Sequence, residues 1–339
     1  MTVALTGFGV YRPPSRRTAA EIAAESGIPE QVVVEKMGIR EKRVCPPDED
    51  HVSEMCVTAG ERALADAGIE PDELDLVLYH GSEYKDYYVW SVACEVAHRL
   101  GAEGAYATEN HTLCASTPTS LRQTRSQLAT GDVDAALLVT ASRESDIVDL
   151  SDEDASFMFN FGAGAGAAVL ERHPGDDRAR AIVRESAAVS DGSFARDVVM
   201  PAGGSRNPPS HETVERGLHT VTVEDPDAMK ERMAPVSGPN FLQVADDALA
   251  ASGYDRDDVD YLTVTHMKRS FHAWLLDELG LEPGKAYYLD EYGHVQSVDQ
   301  WLGLAEGLDE AAVEPGDVVL FLAAGTGYTW AATVLDWRG

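Results

Sequence analysis

The chain repeats itself at an offset of 185 residues, which restricts it to folds built from two similar halves. Leu64-Ala65 followed by Gly68, Asp72 and Asp75 returns as Leu249-Ala250 followed by Gly253, Asp257 and Asp260, each time ahead of an apolar run. Gly131-Asp132-Val133 returns as Gly316-Asp317-Val318 at the same offset, so nothing is inserted between the two matches. Each copy reads as helix, glycine stop, Asp-rich turn and buried strand, then a second helix and a second buried strand. Strands alternating with helices predict a mainly parallel sheet covered by helices in each half. The expected division is a first half over 1–175, a connecting strand and loop or lid over 176–225, and a second half over 226–339. The connecting segment is rich in Gly, Pro, Ser and Asn (PAGGSRNPPSHE) and carries no apolar period.

The charge narrows the setting. The chain holds 58 acidic and 27 basic residues, a net charge of −31, and the acids are spread along its length with no acidic tail. Screening shortens the reach of such self-repulsion to roughly 3 Å at molar ionic strength, so this surface suits a salt-rich cytoplasm and a halophilic source. No basic stripe is present to track phosphates, which opposes nucleic-acid binding. The start, MTVALTGFGVYRPP, lacks a basic leader, and no apolar run reaches membrane-spanning length, so a cytoplasmic protein without membrane insertion is expected. The four cysteines (Cys45, Cys56, Cys94, Cys114) form no C-x-x-C pair and no zinc spacing, so no metal is expected.

Three residues stand where chemistry is expected. Cys114 lies where the short strand AYA gives way to a helix opened by Ser116, Thr117 and Pro118. A thiol there meets unpaired backbone amides and the positive end of the helix dipole. His266 ends the strand predicted over 261–265, and His294 follows Gly293 at the start of a helix predicted over 295–305. Both fall at the carboxyl edge where open α/β sheets place their sites. The plain alternatives are a buried structural thiol, a structural histidine, and a helix-start histidine paired with Asp290 or Glu291. Taken together, one thiol and two imidazoles at matching edges of related halves point to thiol acylation. None of the Gly-x-Gly runs opens a helix, which rejects a dinucleotide fingerprint. Gly325, Thr326 and Gly327 instead read as a loop that lets backbone approach a substrate and aims an amide at an oxyanion.

These residues resemble the thiolase-fold condensing enzymes, most closely the β-ketoacyl-acyl-carrier-protein synthase III family, over essentially the whole chain. EKMGIREKRV (35–44), LADAGIEPDELDLVL, FGAGAGAAVL and GTGYTWAATVL carry the resemblance, and Cys114 falls at the family's acyl-accepting cysteine. The resemblance implies an α/β thiolase-like fold of two duplicated halves in five αβαβα layers, a homodimer, and a Claisen-type condensation through a Cys-bound acyl-enzyme. No bound cofactor is implied; the substrates are thioesters of coenzyme A or of acyl carrier protein. His266 matches the family histidine, while His294 stands where this family usually has Asn. A neutral imidazole N–H can donate to a thioester oxygen much as an Asn amide does. The family's H-Q-A-N is H-M-K-R here (266–269), and Val32 stands at the family's adenine-stacking Trp. Lys36, Arg40 and Arg269 are the candidate substrate-binding cations.

Two other readings compete. In 3-hydroxy-3-methylglutaryl-CoA synthase, a relative of the same fold, a Glu somewhat more than thirty residues before the Cys acts as acid and base, and Glu83 lies 31 residues before Cys114. A non-catalytic subunit that binds a partner synthase is the reading from another class, suggested by the loss of H-Q-A-N and opposed by Cys114, His266 and the late glycine loop.

Overall fold

The computed structural model describes residues 2–175 and 177–339, so Met1 and the first residue of the expected connecting segment, Asp176, lie outside the described residues. Nine strands form the main sheet: β1 (Val3–Tyr11), β2 (Leu76–His80), β3 (Tyr106–Asn110), β4 (Ala135–Ser142), β5 (Gly164–Arg172), β6 (Ala181–Ser190), β7 (Tyr261–Val264), β8 (Val318–Gly325) and β9 (Thr329–Trp337). The principal helices are α1 (Val52–Ala67), α2 (Val92–Leu100), α3 (Ser116–Thr130), α4 (Ser237–Ser252), α5 (Arg269–Glu278) and α6 (Asp299–Asp309). Strand order is β7-β8-β9-β6-β1-β5-β4-β2-β3. The pairs β2–β4, β2–β3 and β7–β8 are parallel, and the two limbs meet where β1 lies antiparallel to β6.

Side-chain alternation sorts each strand between layers. On β2, Leu76 and Leu78 enter a central cluster while Val77 and Tyr79 enter an outer one; on β8, Val319 and Phe321 point to the centre and Val318, Leu320 and Leu322 to the other outer cluster. The central cluster also takes Leu121 and Leu128 of α3 and Trp301, Leu302 and Leu304 of α6. The outer clusters take α1 and α2 on one side and α4 and α5 on the other. The result is helix, sheet, helix, sheet, helix, the five αβαβα layers of a thiolase-like fold. Strands buried on both faces explain the continuous apolar runs in the sequence.

The duplication has a structural cause. Helices α1 and α4 stop at Gly68 (φ 67°) and Gly253 (φ 87°), left-handed positions that favour glycine. The aspartates that follow act as strand clamps. Asp75 Oδ2 accepts the amides of Asp134 (2.7 Å) and Ala135 (3.1 Å), and Asp260 Oδ2 accepts the amide of Val318 at 2.9 Å. Each acid thereby ties the start of one parallel strand to the start of its neighbour.

Three features give detail to the expected halves. The strand in the connecting segment is β6, which sits beside β1 at the heart of the sheet and holds in the second limb the place that β1 holds in the first. The second half opens on two helices, Pro226–Met233 and α4, because Pro235 between them has no amide to continue the ladder. The helix expected from Val295 opens as a 3-10 turn at Gln296–Val298 and becomes α-helical at Asp299. The rest of the 190–225 loop holds short elements, including a helix at His211–Glu215 and the strand pair of Val198–Val199 with Thr222–Val223. Among the described residues no helix is long and apolar enough to cross a membrane.

Candidate active site

The middle layer brings the three predicted residues together. Cys114 lies in a 3-10 turn, Leu113–Ala115, that feeds α3, and Leu113 before it is held at φ 52°. A non-glycine residue there costs about 1–2 kcal/mol, and the surrounding hydrogen bonds fix it. Ser116 Oγ accepts the Thr112 amide at 3.0 Å, and the Leu113 amide donates to the Gly81 carbonyl at 3.2 Å. Cys114 as a whole is buried, at 6 % exposure.

His294 faces it from the other half. Its Nε2 is 3.1 Å from Cys114 Sγ, and its Nδ1 is 2.6 Å from Asp299 Oδ2. Asp299, wholly buried at the first position of α6, also accepts the amides of His266 and Val295, each at 2.7 Å. The three therefore form a Cys–His–Asp array. Burial alone would discharge the His294 ring, but the charge of Asp299, then that of a Cys114 thiolate, and the hydrogen bonds to both hold its pKa well above the usual histidine value. Asp299 accepts only a proton-bearing Nδ1, so a neutral His294 carries its lone pair at Nε2. The ring donates to the substrate side only as imidazolium, unlike the amide of an Asn at this place.

His266 behaves differently. Burial pushes its pKa down to about 4, so the ring is neutral near pH 7. Its Nε2 lies 3.3 Å from the Met37 carbonyl, which makes that nitrogen the N–H donor and leaves Nδ1 without a partner among the described residues. The ring of Tyr288 packs 5.0 Å away.

Two cavities meet at Cys114. One, of about 510 Å³, has both histidines, Lys36, Lys268 and Val32 on its wall, with Phe241 and Phe271 among its apolar lining. The other, of about 400 Å³, runs to Val198, Val199 and Met200 and includes Glu144. Phe161 and Thr326 border both. Gly325, at the end of β8, abuts the nucleophile turn so closely that a Cβ on it would stand 2.5 Å from the Thr112 carbonyl oxygen and 3.1 Å from the Cys114 nitrogen. Only glycine permits this approach, which sets the backbone of Gly325 beside the Cys114 amide. Gly327 has φ 123° and completes the turn into β9.

Of the other candidates, Lys36 and Glu83 line the two cavities that reach the thiol. Arg40 and Arg269 both pair with Asp290, at 3.0 and 2.8 Å, while Lys36 and its unforeseen companion Lys268 line the larger cavity. The Glu83 side chain is 72 % exposed and pairs with His111 Nδ1 at 2.9 Å. The buried carboxyl on the smaller cavity is Glu144 instead, hydrogen-bonded by Ser82 and Ser142 and raised in pKa by burial. Sequence reasoning missed Glu144 and Asp299. Glu144 had one signal, its place just past the carboxyl end of β4. Asp299 had none beyond being an acid in a first helical turn. Among the described residues no three His, Cys, Asp or Glu side chains are grouped to hold a metal ion.

The chain matches two family descriptions, 3-oxoacyl-[acyl-carrier-protein (ACP)] synthase III over residues 109–192 and the C-terminal region of the same synthase over residues 249–337. It is 30% identical over 344 residues to the beta-ketoacyl-[acyl-carrier-protein] synthase III of Desulfitobacterium hafniense strain Y51, covering 99% of this chain and 98% of that protein. It is 29% identical over 334 residues to the enzyme of the same name from Caldanaerobacter subterraneus, covering 98% and 97%. Among solved structures, 3-oxoacyl-[acyl-carrier-protein] synthase III of Aquifex aeolicus superposes with a TM-score of 0.83 at 22% identity, over 99% of this chain and 100% of the other. The priming beta-ketosynthase of the R1128 polyketide pathway gives 0.84 at 24%, over 99% and 96%.

Proposed function

This chain belongs to the 3-oxoacyl-[acyl-carrier-protein] synthase III family of condensing acyltransferases, and from that premise we propose that Cys114 carries the acyl group through a Claisen-type condensation. Sγ attacks the carbonyl carbon of an acyl thioester of coenzyme A or carrier protein, and the amides of Cys114 and Gly325 receive the oxyanion. His294 gives its proton to the departing thiolate. A malonyl thioester then loses CO₂; the His266 Nε2–H, turned from the Met37 carbonyl to the substrate, and His294 when protonated steady the enolate oxygen while the enolate carbon attacks the acyl carbonyl and releases Sγ. The observation that carries this reading is the 3.1 Å approach of His294 Nε2 to Cys114 Sγ at the junction of the two cavities. Lys36 and Lys268 on the larger cavity suit an anionic thioester carrier.

The enzyme acts as a homodimer in a salt-rich cytoplasm. Support for a dimer comes from the edge strand β3, where Tyr106 is 65 % exposed, together with the exposed Tyr87 and Tyr88. Support for high salt comes from the net charge of −31. Intact mass in high-salt buffer, after incubation with a panel of acyl-CoA donors, tests the reading. The expected result is an acyl adduct that Cys114→Ala abolishes; no adduct from any coenzyme A or carrier-protein donor refutes it.

A further inference from the structure

We infer that the Cys114–His294–Asp299 array also transfers the acyl group to a hydroxyl-bearing acceptor with an apolar body, forming an ester. The inference rests on the acyl-enzyme reading above and concerns what removes the acyl group. Once Sγ is acylated, it is a neutral thioester sulfur that can take no proton from His294. Asp299 stays on Nδ1, at 2.6 Å, so the neutral ring turns its Nε2 lone pair toward the new thioester. That is the position of a general base. A carbon nucleophile made by loss of CO₂ brings no proton for such a base to take. An alcohol does, and it is too weak an acid to ionise unaided near neutral pH.

The step balances without any further reactant. The hydroxyl oxygen bonds to the acyl carbon as its proton passes to His294 Nε2; the carbon–sulfur bond breaks; Sγ leaves as thiolate beside the imidazolium and is free for another acyl group. The cavities accommodate both partners at once. An acyl chain fits toward Val198, Val199 and Met200, leaving the larger cavity, with Phe241, Phe271, Met233 and Met267 on its wall, for the acceptor. His294 is the catalytic residue in this step, and Asp299, which acts through it, is a positioning residue.

The test loads the full-length enzyme with the acyl-CoA that gives the strongest adduct, removes excess donor, and chases parallel samples with benzyl alcohol and with malonyl-CoA. Benzyl ester and regenerated Cys114 are followed by mass spectrometry across pH. The expected result is ester formation that rises with pH to a plateau. In His294→Asn the ratio of ester discharge to malonyl discharge falls about 100-fold. In Asp299→Asn ester formation slows and the midpoint of its pH profile moves down. Discharge to malonyl-CoA with no ester at any pH would overturn the inference, as would an unchanged ratio in His294→Asn. Failure to load at all sinks the acyl-enzyme reading itself and is visible before any acceptor is added.

Discussion

Gly325→Ala offers the sharpest single test of how the site is assembled. The added methyl would stand 2.5 Å from the Thr112 carbonyl oxygen, 2.8 Å from the Ala115 nitrogen and 3.1 Å from the Cys114 nitrogen. All three are backbone atoms, so no rotamer relieves the clash. Ordinary carbon contacts begin near 3.5 Å, so the end of β8 and the nucleophile turn must separate by on the order of 0.5–1 Å. Overpacking of that kind costs about 1–3 kcal/mol of stability. The effect on chemistry is larger, because the shift opens the oxyanion site and lengthens the Sγ–Nε2 contact together. Displacing one oxyanion donor costs about 10²–10³ in rate, and a misplacement of about 1 Å alone about 10². The acylation rate of Cys114, read by quenched intact mass at saturating donor, is therefore expected to fall about 100-fold or more while the variant still folds. Gly104→Ala, whose methyl meets nothing within 4 Å, serves as the control. Acylation by Gly325→Ala within about threefold of the parent rate would refute the reasoning.

Four further outcomes are expected. Asp299→Asn cannot accept from all three of its donors, so at least one buried N–H loses its partner; denaturant melts should show a loss of about 2–3 kcal/mol, and an unchanged midpoint would contradict the assigned bonds. His80, His266 and His272 are held neutral by burial, with pKa values down to about 3, about 4 and about 4. Their unfolded value near 6.5 is higher, so their contribution is complete above about pH 6.5 and is lost as pH falls toward 4, on the order of 3 kcal/mol per ring. Melts at fixed salt between those pH values check this, with His80→Gln giving a shallower slope; a flat parent profile contradicts it. Raising salt from about 0.1 M to 1 M shortens the screening length from about 10 to 3 Å and should raise the melting temperature of a chain with net charge −31; no rise would count against salt adaptation. Glu83→Gln should acylate Cys114 within about twofold of the parent, since its carboxylate is solvent-facing; a large loss would return it to the chemistry.

The fold was legible because the glycine stops and the aspartate clamps are local devices that occur twice. Gly68 and Gly253 end helices, and Asp75 and Asp260 tie strand starts, in the same register of each half. Cys114, His266 and His294 were legible as residues at strand and helix ends. Asp299 was not. A carboxylate in a first helical turn is ordinarily a solvated partner of the helix dipole, and only the packing of α6 between the two limbs of the sheet turns this one inward. The partner of His294 could therefore be sought only among its sequence neighbours Asp290 and Glu291, whereas Asp290 is spent on Arg40 and Arg269. The central place of β6 was hidden for the same reason: a strand between two loops carries no mark of which neighbours it will pair with.

Cys114 and Asp299 stand 185 residues apart, the offset of the duplication itself, at the entrances of the two middle-layer helices. They are thus one ancestral position seen twice. Two identical half-length chains associating about a two-fold axis would have to place the same side chain at both entrances, two thiols or two carboxylates. A relay in which one entrance attacks and the opposite one orients the histidine requires the copies to diverge while remaining together. Joining them in a single polypeptide is what makes that asymmetry heritable, and the nine-stranded sheet continuous through β1 and β6 holds the two unlike entrances in register.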